Sequence, residues 1–238
     1  EARTRQAGLH RWYILDYDEN QSMTKAAAGL AFPGVSEIEY CPRMEIIGNP
    51  EVVEYAAVTK AANATVFNDP MLSSQWHYYN NGSTASSVSG CDINVVPVWK
   101  NYSNYVKYSG DIVVGVVDGG IDYNHEDLKD NMWHNPDKTG DNIYGYNFAT
   151  SSYAIHAEDH GTHVAGTIAA VNNNGTGVCG VAGGNAAKKI KGAKLMSCQI
   201  FDGKKQGNGA EAIKWSADHG AHISQNSWGY INLTTTPN

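Results

Sequence analysis

The chain has 238 residues, 42% of them hydrophobic and 17% charged, enough to bury a substantial core as one large domain or two smaller ones. Its 17 basic and 24 acidic side chains give a net charge of −7, and the longest Lys/Arg runs are pairs at 188–189 and 204–205, so nothing favours nucleic acid as a partner. No run approaches eighteen apolar residues and EARTRQAGLH lacks the apolar centre of a signal peptide, so neither a membrane span nor an export signal is expected within these residues.

In chain order, RWYILDYDE (11–19) predicts a strand, SMTKAAAGLAF (22–32) a helix capped by Ser22, PGV a turn, and SEIEYCPRMEII (36–47) an alternating second strand. This is a small β-α-β unit. VVEYAAVTKAANATVFNDP follows, and then the polar WHYYNNGSTASSVSG, whose Gly, Ser and Asn cannot supply a core; a boundary is expected between residues 60 and 74.

The second region alternates. DIVVGVVD (111–118) is a β-branched run suited to a strand buried on both faces, GYNF at 145 a further strand, and HVAGTIAAV a helix. AKLMSCQIF (193–201) reads as another buried strand, AEAIKWSADHG as a Gly-terminated helix, and HISQNSWG (222–229) as a strand. That order predicts an α/β fold with a parallel sheet. Cys41, Cys91, Cys179 and Cys198 have no CxxC spacing and read as buried or isolated thiols. Five N-x-[ST] triplets, at Asn63, Asn81, Asn101, Asn174 and Asn232, are no more than a chain this rich in Asn, Ser and Thr produces by chance.

Ligands of parallel sheets sit beyond the carboxyl ends of the strands. Asp118 ends the first strand of the second region, and a carboxylate there can accept a hydrogen bond from an imidazole Nδ1, fixing its tautomer and stabilising the imidazolium. His160, at the start of a helix, is the candidate imidazole. Taken singly, Asp-Gly-Gly reads as a turn and a His before a helix as a capping or surface residue. Zinc hydrolysis through His160 and His163 is disfavoured, because H-x-x-H is not H-E-x-x-H and lacks the i, i+4 spacing.

Together the motifs say more. VVDGGIDYNHEDL around Asp118 and HGTHVAGTIAA from His160 resemble, in the right order, the two N-terminal motifs of the subtilisin-like serine proteases. SQNSWG (224–229) is similar to that family's substrate-binding strand, and VNNNGTGVCGVAG (171–183) to its calcium loop. The resemblance implies a subtilisin-like parallel sheet flanked by helices. It makes Asp118 the orienting carboxylate and His160 the general base and acid, and lets the Gly and Ala of AGTIAA press the helix closely on the sheet. His163 is expected to be structural.

The family's Gly-Thr-Ser-Met-Ala nucleophile motif and its oxyanion Asn are not found before Asn238, and Asn226 is too early to serve as that donor. The expectation is therefore an endopeptidase whose N-terminal catalytic portion spans 75–238, with the Ser on a missing segment or on its own C-terminal fragment as a partner. The alternative is a catalytically inactive homologue acting as a binding protein.

By the same resemblance residues 1–65 look like the later part of a small α+β, ferredoxin-like inhibitory propeptide, bound in cis as in a zymogen, and 66–74 like a processing linker. Peptide or protein substrate is expected along Gly203, Gly207, Gly209, Ser227, Trp228 and Gly229. Calcium is expected from Gln75, Asp127, the carbonyls of Val171, Thr176 and Val178, and the side chain of Asn173. NPDKTGDN (135–142) reads as a solvated turn. Secretion or residence in the cell envelope, with a signal already removed, follows from the family alone.

Overall fold

The computed structural model describes residues 33, 35, 44–46, 66–83, 87–101 and 109–230. The expected strand at 11–19 and helix at 22–32 lie outside the described residues, as does nearly all of the strand at 36–47. The chain divides into two compact units, one of residues 1–45 with 229–238 and the other of residues 46–228. The short strands β1 (Met44–Ile46) and β7 (Trp228–Tyr230) pair as a two-stranded sheet.

The larger unit is built on β2 (Val113–Gly119), β3 (Gly145–Asn147), β4 (Lys194–Asp202), β5 (Lys205–Gln206) and β6 (Ile223–Asn226), in the order β3-β4-β2-β6 with β5 off β4. Ladders β3–β4, β4–β2 and β2–β6 are parallel, and only the β4–β5 hairpin is antiparallel. Every residue of β2 is buried, as its unbroken apolar run requires of a strand paired on both sides and covered on both faces. HISQNSWG does not form one strand: it breaks at Ser227, so that β6 and β7 enter different sheets.

Among the described residues the α-helices are α1 (Val95–Asn101), which lies in a second cluster, and α2 (Asp159–Ala169) and α3 (Gly209–Asp218), which pack on the sheet. Asn208 caps α3 by accepting from the Glu211 N–H, and Gly220, at φ +93°, takes the left-handed turn that ends it. The core of the sheet runs from Val114, Val116 and Leu195 through Ile121, Leu128 and Met132 to Ala165, Ala169 and Ala170 of and after α2. A second cluster joins Leu72, Tyr78, Val95, Val96, Trp99 and Cys179, with Val66 and Phe67 packed against it.

Residues 66–74, expected as a processing linker, are built into the larger unit. Met71 N–H donates to the Gly177 carbonyl (2.9 Å), Asp69 accepts from Asn173 N–H (2.7 Å), and Leu72 is buried. The glycine expectation shifts too. A Cβ on Gly166 would meet nothing within 4 Å, whereas one on Gly161 would lie 2.3 Å from the Gly119 carbonyl oxygen. The close approach of helix to strand thus depends on the glycine after His160, with Ala165 and Ala169 filling the core behind it.

Candidate active site

Asp118 leaves the carboxyl end of β2, opposite Gln199 of β4. His160 is the second residue of α2, whose N-cap, Glu158, accepts from the backbone N–H groups of His160 (2.9 Å) and Gly161 (3.3 Å). The two meet as expected: His160 Nδ1 lies 2.7 Å from Asp118 Oδ1, with both side chains buried. Gly119 N–H donates to the same Oδ1 at 2.7 Å, whereas the buried Oδ2 has no hydrogen-bond partner among the described residues.

Burial pushes the Asp118 carboxyl above its ordinary range, and the Glu158 charge adds to this. The hydrogen bonds from His160 and Gly119 act the other way without cancelling it. With Nδ1 committed to Asp118, Nε2 is the nitrogen left to take up and return a proton. His163, three residues on, is exposed and plays no part in the pair; its carbonyl accepts from Thr167 Oγ1 at 3.2 Å.

A loop holds this end of the sheet together. Gln199, buried on β4, pairs its amide with both backbone groups of His156: Nε2 donates to the carbonyl (3.1 Å) and Oε1 accepts from the N–H (3.0 Å). His156 Nδ1 is 2.8 Å from Asp202 Oδ2, which also accepts from Asn147 Nδ2 at 3.0 Å. Burial opposes ionisation of Asp202, but the Asn147 and His156 hydrogen bonds, with the charges of His156 and Lys205, outweigh it and hold the carboxyl below its ordinary value.

Of the residues expected to line a substrate path, Gly203 is the turn of the β4–β5 hairpin at φ +61°. A Cβ on Gly207 would lie 2.6 Å from Phe148, and Gly209 is the buried first residue of α3. Ser227 accepts from Gln225 Nε2 at 2.5 Å, and Trp228 donates its indole N–H to the Val117 carbonyl at 2.9 Å, one residue before Asp118. Gly229 belongs to β7.

Of the residues expected around calcium, Val171, Asn173, Thr176 and Val178 lie on the loop after α2, and Gln75 and Asp127 are hydrogen-bonded to that loop from elsewhere in the chain. Asp127, buried, accepts from Val178 N–H (2.9 Å) and from Asn174 Nδ2 (2.8 Å). Asn173, the side chain expected there, turns instead to Asn68 N–H (3.1 Å) and Asn185 Oδ1 (3.0 Å). Gln75 pairs its amide with the backbone of Cys179.

The sequence reading missed Asp69, a second buried carboxylate whose charge is felt by Asp127 and which accepts from Asn173 and Asn174 N–H. It sits in FNDP, within the stretch expected as a processing linker. The carbonyls of Val171, Thr176 and Val178 accept no hydrogen bond among the described residues, and with the Asp69 and Asp127 carboxylates they are oxygen groups of the kind a hard cation takes; the Asn174 amide oxygen already accepts from Thr176 N–H.

Comparisons with known proteins agree with this geometry. The model of the subtilase family matches residues 109–237. The chain is 35% identical over 164 residues to the PC3-like endoprotease variant B of Hydra vulgaris, covering 68% of this chain and 21% of that protein. It is 34% identical over 160 residues to kexin of Saccharomyces cerevisiae, covering 66% of this chain and 17% of that protein. Among solved structures, the serine protease of Aeromonas sobria shares the fold with a TM-score of 0.53 at 24% identity, over 70% of this chain and 26% of that one. A parallel sheet flanked by helices, with an aspartate and a histidine paired at its carboxyl end, defines the class, and this chain belongs to the subtilase family. It spans about a fifth of the length of the curated relatives it matches.

Proposed function

We propose that this chain supplies the acid–base half of a subtilisin-like serine endopeptidase. The observation that carries the reading is the buried 2.7 Å contact between His160 Nδ1 and Asp118 Oδ1 at the carboxyl end of β2. The nucleophile in this reading is a serine outside these 238 residues, on a following segment or on the protein's own C-terminal fragment. Its Oγ attacks the carbonyl carbon of a peptide bond while His160 Nε2 takes the hydroxyl proton. His160 returns that proton to the leaving amine, and water then attacks the acyl ester with His160 again as base. Asp118 stays ionised throughout, holding the tautomer and stabilising the imidazolium.

The sheet supports a completing segment. Among the described residues β6 pairs on one side only, Ile223 is 53% exposed, and an apolar groove of about 340 Å³ runs between Ile112, Val114, Ile168, Val181, Ile223 and Gln225. A strand and a helix laid there would cover the edge and fill the groove beside the helix that bears His160.

Peptide or protein substrate is taken along the hairpin at Gly203 and the Ser227–Trp228 turn, with residues 1–65 acting as an inhibitory propeptide in cis. Calcium is held by Asp69, Asp127 and Asn174 with the carbonyls of Val171, Thr176 and Val178, where its charge offsets two buried carboxylates and ties residues 66–78 to the loop after α2. The protein acts outside the cytoplasm, a reading supported by the halolysin-like relative from Natrialba magadii, which is named as extracellular.

A fluorophosphonate probe on the full-length protein tests the activity. One label on a serine, peptidase turnover, and loss of turnover in His160→Ala with the fold intact are expected. A His160→Ala protein that still turns over at the wild-type rate removes His160 as the base, and a full-length protein without a reactive serine makes the chain part of an inactive homologue.

A further inference from the structure

Glu158 stands between the two halves of the pair without touching either side chain by hydrogen bond. Its N–H donates to the Gly120 carbonyl (2.8 Å), two residues beyond Asp118, and its carboxylate accepts the N–H of His160 itself. Glutamate is not among the side chains that favour this capping position, since Ser, Thr, Asp and Asn reach the orphan amides with a shorter arm. Here the longer arm doubles back so that one oxygen, Oε2, takes both His160 N–H and Gly161 N–H. The first turn of α2, which carries the His160 backbone, therefore cannot rotate without breaking a charge-assisted hydrogen bond.

Glu158 is itself held from β4. Gln199 faces Asp118 across the β2–β4 ladder, and its buried amide grips both backbone groups of His156, two residues before Glu158. The carboxylate also has an electrostatic task. The positive end of a helix opposes an imidazolium in its first turn, and a negative charge at the cap offsets that opposition. The charged groups gathered around His160 are Asp118 from β2, Glu158 and Asp159 at the start of α2, and the His156–Asp202 pair from the loop and β4.

We propose that Glu158 is the positioning residue for the His160 imidazole, fixing it against Asp118 and supporting its protonated form, and that Gln199 sets Glu158 in place through the backbone of His156. The importance of this for turnover rests on the peptidase reading above, but its test does not.

Nitrogen-15 histidine NMR on the full-length protein reads the downfield Nδ1–H signal of His160 and its titration directly. The signal is expected in the wild type and absent in Asp118→Asn. Glu158→Ala and Gln199→Leu are expected to broaden or abolish it. Glu158→Gln, which keeps the acceptor and removes the charge, is expected to keep it and move the titration midpoint to lower pH by about threefold in the ionisation constant.

An unchanged signal and midpoint in Glu158→Ala overturns the proposal. Should that variant unfold, Glu158→Gln decides alone, and an unmoved midpoint overturns it. No such signal in the wild type overturns the proposal together with the pair. A full-length protein without peptidase activity in which the expected changes still occur would sink the functional reading and leave this one standing.

Discussion

Gly120 and His156 meet backbone to backbone: a Cβ placed on Gly120 would lie 1.9 Å from the His156 carbonyl oxygen and 2.8 Å from Gln199 Oε1. Neither neighbour can yield, because the His156 carbonyl is the group that Gln199 grips. Gly120→Ala is therefore expected to lower stability by about 3 kcal/mol, at the upper end of overpacking costs, and to displace the loop carrying Glu158. Urea unfolding measures the first effect. A variant within 0.5 kcal/mol of the wild type, about the scatter of surface substitutions, would show that the contact relaxes freely.

Asp118 exchanges stability for function. Because burial raises its carboxyl, the folded chain holds that proton to higher pH than the unfolded chain does, so the fold loses stability as pH rises from the unfolded toward the folded ionisation. Asp118→Asn keeps the size and removes the buried charge. It is expected to raise Tm near neutral pH, to lose that advantage in acid where the carboxyl is protonated in both states, and to eliminate turnover. Thermal melts across the pH range provide the comparison; a variant less stable than wild type at neutral pH contradicts the expectation.

Calcium is expected to stabilise the larger unit and chelation to reverse it. At a hundredfold excess over Kd the gain is about 2.7 kcal/mol, visible as a calcium-dependent Tm. Asp127→Asn should abolish most of that dependence and Asn173→Ala little of it, since the Asn173 side chain turns away from Asp127. Equal dependence in both variants, or none in the wild type, would remove the ion from the fold.

Thiol reactivity follows burial. Cys91 is exposed, while burial pushes Cys179 and Cys198 far above the ordinary thiol range, the charge of Asp69 adding to the effect at Cys179. Under native conditions a maleimide should modify Cys91 within minutes, and Cys179 and Cys198 only after unfolding. Peptide mapping of the labelled chain checks this, and native labelling at Cys198 would show that β4 opens.

What could be read from residues alone was what adjacent residues determine. The unbroken apolar runs of β2 and β4 and the cap-to-glycine span of α3 announce their elements locally, and the Asp118 and His160 motifs are contiguous. What escaped depends on partners far along the chain. That Gly161 rather than Gly166 makes the close approach is decided by Gly119, some forty residues earlier. That Asn174 rather than Asn173 meets Asp127 is decided by a loop whose path no periodicity describes. Asp69 and Gln199 carry no local signature at all, since each acquires its role only when distant backbone groups arrive beside it.

The same dependence on distant partners sets when the Asp118–His160 pair can form. β2 is completed on one side by β4, about eighty residues later in the chain, and on the other by β6, more than a hundred residues later. Loops of that length close slowly, so contacts of this kind form late and cannot be built up one local piece at a time. Asp118 stands at the last ladder positions of β2, and the loop leading to Glu158 is held at His156 by Gln199 of β4. A nascent or partly folded chain thus contains the aspartate and the histidine without the pair. The Asp118–His160 pair is a property of the finished fold and of no local piece of it.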